Sequence, residues 1–135
     1  MIDQLHHFVD RHATESPAAP ALLHRDTVLD YAALAAACRA FAGGALAAGL
    51  GSGERVAVYL PKQPEAVVGL FGTSTAGGTF VPVNPALKPA QVAYVLAHCA
   101  VRMLVTAAPR WQTLRPAVAA GPALHRVVLV DGVSD

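Results

Sequence analysis

The chain has 135 residues, the size of one domain with a substantial core. Its formal net charge is +1, with no basic stripe or Arg/Lys cluster, so nucleic-acid binding has no support. No apolar run reaches the roughly 18 residues of a membrane span, and the opening MIDQLHH lacks the basic and apolar regions of a secretory signal, so neither a transmembrane segment nor export is expected.

Leu5, Phe8 and Val9 share one face of a short first helix that ends before Pro17. Residues 21–24 (ALLH) and 27–29 (TVL) then form a hairpin turning at Arg25 and Asp26. Asp30 is placed to cap the next helix, since its carboxylate can accept a free backbone N–H. That helix carries Leu34, Cys38, Phe41 and Ala45 on one stripe and stops at Gly49, where a left-handed residue is needed. Residues 55–60 (RVAVYL) are apolar enough for a strand buried on both faces.

The turn Pro61-Lys62-Gln63-Pro64 leads into a helix starting near Glu65, apolar nearly all round through Val67, Val68, Leu70 and Phe71, which predicts deep burial of those four. Gly77 and Gly78 stop it. Residues 79–83 (TFVPV) are a strand whose Pro82 argues for an edge position. Pro89 suits the first turn of a further helix with the stripe Val92, Val95, Leu96 and Cys99. Residues 102–106 (RMLVT) are a strand, 110–120 a helix shortened or kinked by Pro116, and 126–130 (RVVLV) a last strand.

From residue 55 onward strand and helix alternate. This pattern predicts an α/β fold: a parallel sheet with helices on both faces. Such a domain covers each new strand with a helix, and the chain ends at Asp135 just past a strand, so residues 1–135 are expected to be a domain incomplete at its C-terminal end.

No catalytic, cofactor-binding or metal-binding residue can be assigned. Gly51-Ser52-Gly53 and the stretch Thr73-Ser74-Thr75-Ala76-Gly77-Gly78 both follow a helix and precede a strand. A phosphate loop needs the opposite order, so that a helix N-terminus faces the anion. Lys62 and Lys88 do lie in loops after strands, the end where open α/β sheets bind ligands, but one lysine per loop is a thin signal. The six histidines (His6, His7, His12, His24, His98, His125) are not paired at i and i+4 on one helix face, and no Cys or Asp/Glu cluster accompanies them, so no metal centre is expected. His98 is better placed as a partner of its helix dipole. Cys38 and Cys99 lack CxxC spacing and lie on apolar helix faces, as small buried groups in a reducing cytoplasm.

Residues 53–106 also resemble a known family. The run Ala76-Gly77-Gly78-Thr79-Phe80-Val81-Pro82-Val83-Asn84-Pro85 is similar to an early signature of the adenylate-forming superfamily, and the upstream segment resembles that family's usual opening. The wording LPKQPEAV…VNPALKPAQV resembles acyl-CoA ligases associated with exosortase systems. The resemblance implies an N-terminal part of an AMP-binding (AMP-dependent synthetase/ligase) domain within a protein of fatty acid metabolism. Its reaction joins ATP and a carboxylic acid as an acyl-adenylate, which a thiol, usually coenzyme A, then attacks. ATP, Mg2+ and coenzyme A are thus implied for the whole family protein and none for this segment. The family's phosphate loop, ending in Pro-Lys-Gly, and its catalytic lysine would lie beyond Asp135.

The expectation is therefore a scaffold segment, inactive alone, whose apolar surface is covered by the remainder of a ligase chain. The composition agrees: 54% hydrophobic and 14% charged, against about 25% charged in ordinary soluble domains. The 28 alanines account for part of this excess. The alternative is a stand-alone, non-enzymatic α/β domain that binds a protein partner through the same surface. A small nucleotide-binding protein is disfavoured, because both glycine clusters sit at the wrong helix ends.

Overall fold

A computed structural model of the chain describes residues 1–118 and 123–132. Helix α1 (His6–Glu15) precedes a hairpin of β1 (Pro20–His24) and β2 (Thr27–Asp30). Then follow α2 (Tyr31–Ala47), β3 (Arg55–Tyr59), α3 (Pro64–Thr75), β4 (Thr79–Pro82), α4 (Pro89–His98), β5 (Val101–Thr106), α5 (Ala108–Leu114) and β6 (Arg126–Leu129). The last helix begins two residues before the expected start, because Pro109 suits its first turn. It ends at Leu114 and gives way to a 3-10 turn at Arg115–Ala117 holding Pro116. The expected continuation through residues 119 and 120 lies outside the described residues.

Local chemistry explains the boundaries. Asp30 caps α2 by accepting the Ala33 N–H at 2.8 Å. Gly49 and Gly77 take φ of 93° and 78° just past α2 and α3, a conformation glycine adopts without steric cost. Arg25 turns the hairpin with φ 54°.

The main sheet has the order β4-β3-β5-β6, and every pairing is parallel. Pro82 lies on the edge strand β4, where its missing N–H leaves no ladder bond unmade. The step from β3 to β4 runs one way, and the steps to β5 and β6 run the other. Right-handed crossovers must then put α3 on one face and α4 with α5 on the opposite face. The core divides accordingly. Val56, Val58, Met103 and Val105 cluster with Ala42 and Ala45 of α2 and Ala76. Ala57, Tyr59 and Leu104 cluster with Val92 and Leu96 of α4 and Leu114 of α5. A third cluster joins Val9 of α1 to Leu34, Ala35 and Cys38 of α2. Phe8, expected beside Val9, is 51% exposed, because the face of α1 that meets α2 is narrower than its apolar stripe.

Helix α3 corrects the sequence reading most clearly. Val67, Val68, Leu70 and Phe71 are only half-buried, and the fully buried residues are Gly69, Gly72, Thr73 and Ser74. The helix turns its small residues inward. A Cβ at Gly69 would lie 3.0 Å from Val58 Cγ2, and one at Gly72 would lie 2.7 Å from Phe41 Cδ1. Thr73 satisfies its hydroxyl internally by donating to Gly69 O at 2.6 Å. Gly72→Ala is expected to destabilise the fold by about 1–3 kcal/mol through overpacking. Gly44→Ala, in α2 with no atom within 4 Å of the new Cβ, should instead stabilise it, by about 0.5–1 kcal/mol. Urea denaturation of the two variants checks both signs.

Burial pushes the Cys38 thiol up to about 11 from 9.0, with Asp10 adding to the shift and Arg39 opposing it. The unfolded chain therefore releases this proton first. The Cys38 contribution to stability is complete below about pH 9 and declines as pH rises toward about 11. The urea midpoint of the native chain should fall more steeply across that window than that of Cys38→Ala. Parallel profiles would remove the coupling.

Candidate functional site

In an open parallel sheet, ligands bind beyond the carboxyl ends of strands where the order reverses. Here that point lies between β3 and β5, since the chain leaves β3 for β4 and then crosses back to β5. The residues at this edge are tightly fixed. Thr106, fully buried at the end of β5, donates its hydroxyl to Tyr59 O at 2.7 Å and so ties β5 to β3. Tyr59 donates its phenol to Leu87 O at 3.2 Å, anchoring the loop after β4. The Arg110 guanidinium lies 4.8 Å from the Tyr59 ring centroid, and its Nη1 donates to Pro85 O at 2.9 Å. Asp131, just past β6, accepts the Ala108 N–H of α5 at 2.8 Å. The first of these polar contacts ties two strands, and the others order loops.

Two hollows flank the edge. On the α2/α3 face a groove of about 730 Å³ runs between the hairpin and the sheet. Phe41, Val68, Val105, Val128 and Val130 make its apolar walls, and Lys62 stands exposed at its mouth. On the α4/α5 face a smaller hollow of about 340 Å³ lies among Tyr59, Pro89, Arg110 and Thr113. Lys88, the other candidate lysine, is exposed at the N-cap of α4, and its backbone N–H donates to Gln91 Oε1 at 2.9 Å.

The glycine stretches meet each other at the opposite, amino end of the sheet. Gly53 N–H donates to Gly77 O at 2.8 Å, and Thr79 N–H donates to Glu54 O at 2.9 Å. Gly51 N–H donates to Glu54 Oε1 at 2.6 Å, and the other oxygen of Glu54 pairs with Arg102 at 2.7 Å. These residues form an interlocked pair of turns with their amides committed to protein acceptors. Ser74 is held against His6 Nδ1 at 2.8 Å. His7 pairs with Asp3, His12 donates Nδ1–H to Phe8 O at 2.8 Å, and His98 stacks on Tyr94. Among the described residues no three His, Cys, Asp or Glu side chains converge as a metal site. Sequence reasoning missed Tyr59, Thr106 and Arg110 as edge residues. The places of Tyr59 and Thr106 at strand ends and of Arg110 at a helix start were visible, but the strand order that makes this edge a reversal point was not.

The comparisons with known proteins agree with this architecture. The family described as AMP-binding enzyme matches residues 9–135. A feruloyl-CoA synthase from an Amycolatopsis species is 36% identical over 115 residues, covering 85% of this chain and 23% of that protein. The AMB antimetabolite synthetase AmbE of Pseudomonas aeruginosa is 42% identical over 83 residues, covering 62% of this chain and 4% of its own length. The crystal structure of the N-terminal domain of FACL13 from Mycobacterium tuberculosis superposes with a TM-score of 0.86 at 23% identity, covering 95% of this chain and 33% of that one. The chain thus spans less than a quarter of the curated relatives named here, and a third of that solved domain. With its doubly covered parallel sheet and a match across nearly its full length, the chain belongs to the AMP-binding enzyme family.

Proposed function

We propose that residues 1–135 are the N-terminal portion of the AMP-binding domain of an AMP-forming acyl-CoA ligase. The complete protein would join a carboxylic acid to ATP, releasing pyrophosphate, and pass the acyl group from the adenylate to the thiol of coenzyme A, with Mg2+ neutralising the phosphates. Within this reading the protein is cytoplasmic and belongs to the exosortase-associated subgroup, on the similarity of residues 60–67 and 83–92. The share of the chain in that activity is positional. Thr106, Tyr59 and Arg110 hold the carboxyl-edge loops in place, and catalysis of this kind depends on such positioning. The segment by itself is inactive.

One observation carries the reading: the reversal-point edge is built, yet its polar groups are engaged in ordering loops. ATP–pyrophosphate exchange tests it, over a panel of aliphatic and aromatic carboxylic acids. Residues 1–135 alone should give no acid-dependent exchange, and the full product of the reading frame should give it. Exchange by residues 1–135 would end the scaffold reading, and its absence from the full product would end the ligase reading. Exosortase genes beside the coding sequence are the expectation for the subgroup, and their absence would remove it.

A further inference from the structure

We propose that α1 is a strap that opens as one unit about a hinge at Ser16 and so governs access to Cys38, with the His6–Ser74 contact as its latch. The helix is held at three places. Its root is fixed by backbone: Ala32 N–H donates to Pro17 O at 3.0 Å and Tyr31 N–H to Ala19 O at 3.1 Å, which pins the residues after α1 to the start of α2. His12 stacks on Tyr31 close to this root. Ser16, between root and helix, has φ −147° and ψ 62°, outside the helical region, so rotation there swings α1 while the root stays. The middle of the helix carries one plug, Val9, its one buried residue. The far end is latched. The Ser74 hydroxyl accepts the His6 N–H at 3.3 Å and lies 2.8 Å from His6 Nδ1.

Plug and latch hold a helix that has little order of its own. Leu5, at the N-cap, makes no side-chain capping bond, and the first turn has no acidic residue to meet the helix dipole. A helix of ten residues is too short to persist alone in water. Leu5 and Phe8 are exposed and add little burial. Elements with so few buried contacts open below the free energy of global unfolding. What α1 covers is specific. Val9 shares its cluster with Leu34, Ala35 and Cys38 of α2, whereas Ala42 and Ala45 of the same helix belong to the cluster on the sheet. Cys38 therefore lies under the strap and not under the sheet, and it is 3% exposed with α1 in place. The latch post does not travel with the strap. Ser74 is buried on the inward face of α3, which Gly69 and Gly72 seat against β3 and α2.

Hydrogen exchange and maleimide labelling of the full product of the reading frame, both mapped to peptides by mass spectrometry, test the strap. In the unaltered protein the amides of residues 10–15 and the Cys38 thiol should give opening constants that agree within about threefold. Both should exceed that of the β3 amides, residues 56–59, by at least about tenfold. Ser74→Ala removes the latch and should raise the opening of α1 and of Cys38 together by about tenfold, with β3 unchanged. Thr75→Ala is the control at the same end of α3. Its hydroxyl donates to Phe71 O within the helix, so its loss should leave the strap as it was. Exchange of residues 10–15 without labelling of Cys38 means that α1 only frays, and overturns the proposal. Opening of α1 and Cys38 in step with β3 makes them part of the global unfolding unit and also overturns it. No response to Ser74→Ala, or an equal response to Thr75→Ala, removes the latch and the proposal with it.

Discussion

Gly69 and Gly72 give α3 a face without Cβ atoms, and that face lets one helix lie close to β3 and to α2 together. A side chain at Gly69 would meet Val58, and one at Gly72 would meet Phe41. Val58 sits on the central strand β3, buried from both sides, and Phe41 belongs to the helix that shields the rest of the cluster. The hydroxyls of Thr73 and Thr75 are turned back onto Gly69 and Phe71 carbonyls within the same helix, so this close contact leaves no buried polar atom unmatched. The flush packing of α3 seals one face of β3, and α4 seals the other. With β3 fixed, the neighbouring parallel strands and the edge beyond them are fixed too.

Most elements were legible in the sequence because each had a local cause: Asp30 as a cap, Pro89 in a first turn, Gly49 and Gly77 as stops. Hydrophobic period identified β3 and β5, and Pro82 marked an edge. The inward face of α3 was not legible. Apolar count favoured Val67, Leu70 and Phe71, but volume decided, since only glycine and small hydroxyl residues fit at the separation of α3 from β3 and α2. The carboxyl-edge residues escaped for a different reason. Tyr59 lies 47 residues before Thr106, with Arg110 just beyond, and strand order brings Tyr59 to the other two. Period and capping carry no information on strand order.

The two edges of the sheet are thus built for opposite ends. At the amino edge, backbone meets backbone: the turns after α2 and α3 share hydrogen bonds, and Glu54 is held between Gly51 and Arg102. At the carboxyl edge, side chains hold loops: Tyr59 reaches Leu87, Arg110 reaches Pro85, and Asp131 reaches Ala108. A frame of this kind leaves loop backbones fixed at their roots and open toward solvent.

The interlocked turns of the amino edge have an evolutionary consequence. The Gly53 to Gly77 and Thr79 to Glu54 hydrogen bonds set the starts of β3 and β4 against each other, with Arg55 opposite Thr79. Inserting one residue into either turn would slip that register by one position and turn Val56 and Val58 away from α2 and α3. Length variation is therefore barred from this side of the domain. The carboxyl side, where side chains rather than backbone make the ties, has no such register to lose, so a longer loop there leaves β3 and β4 in place.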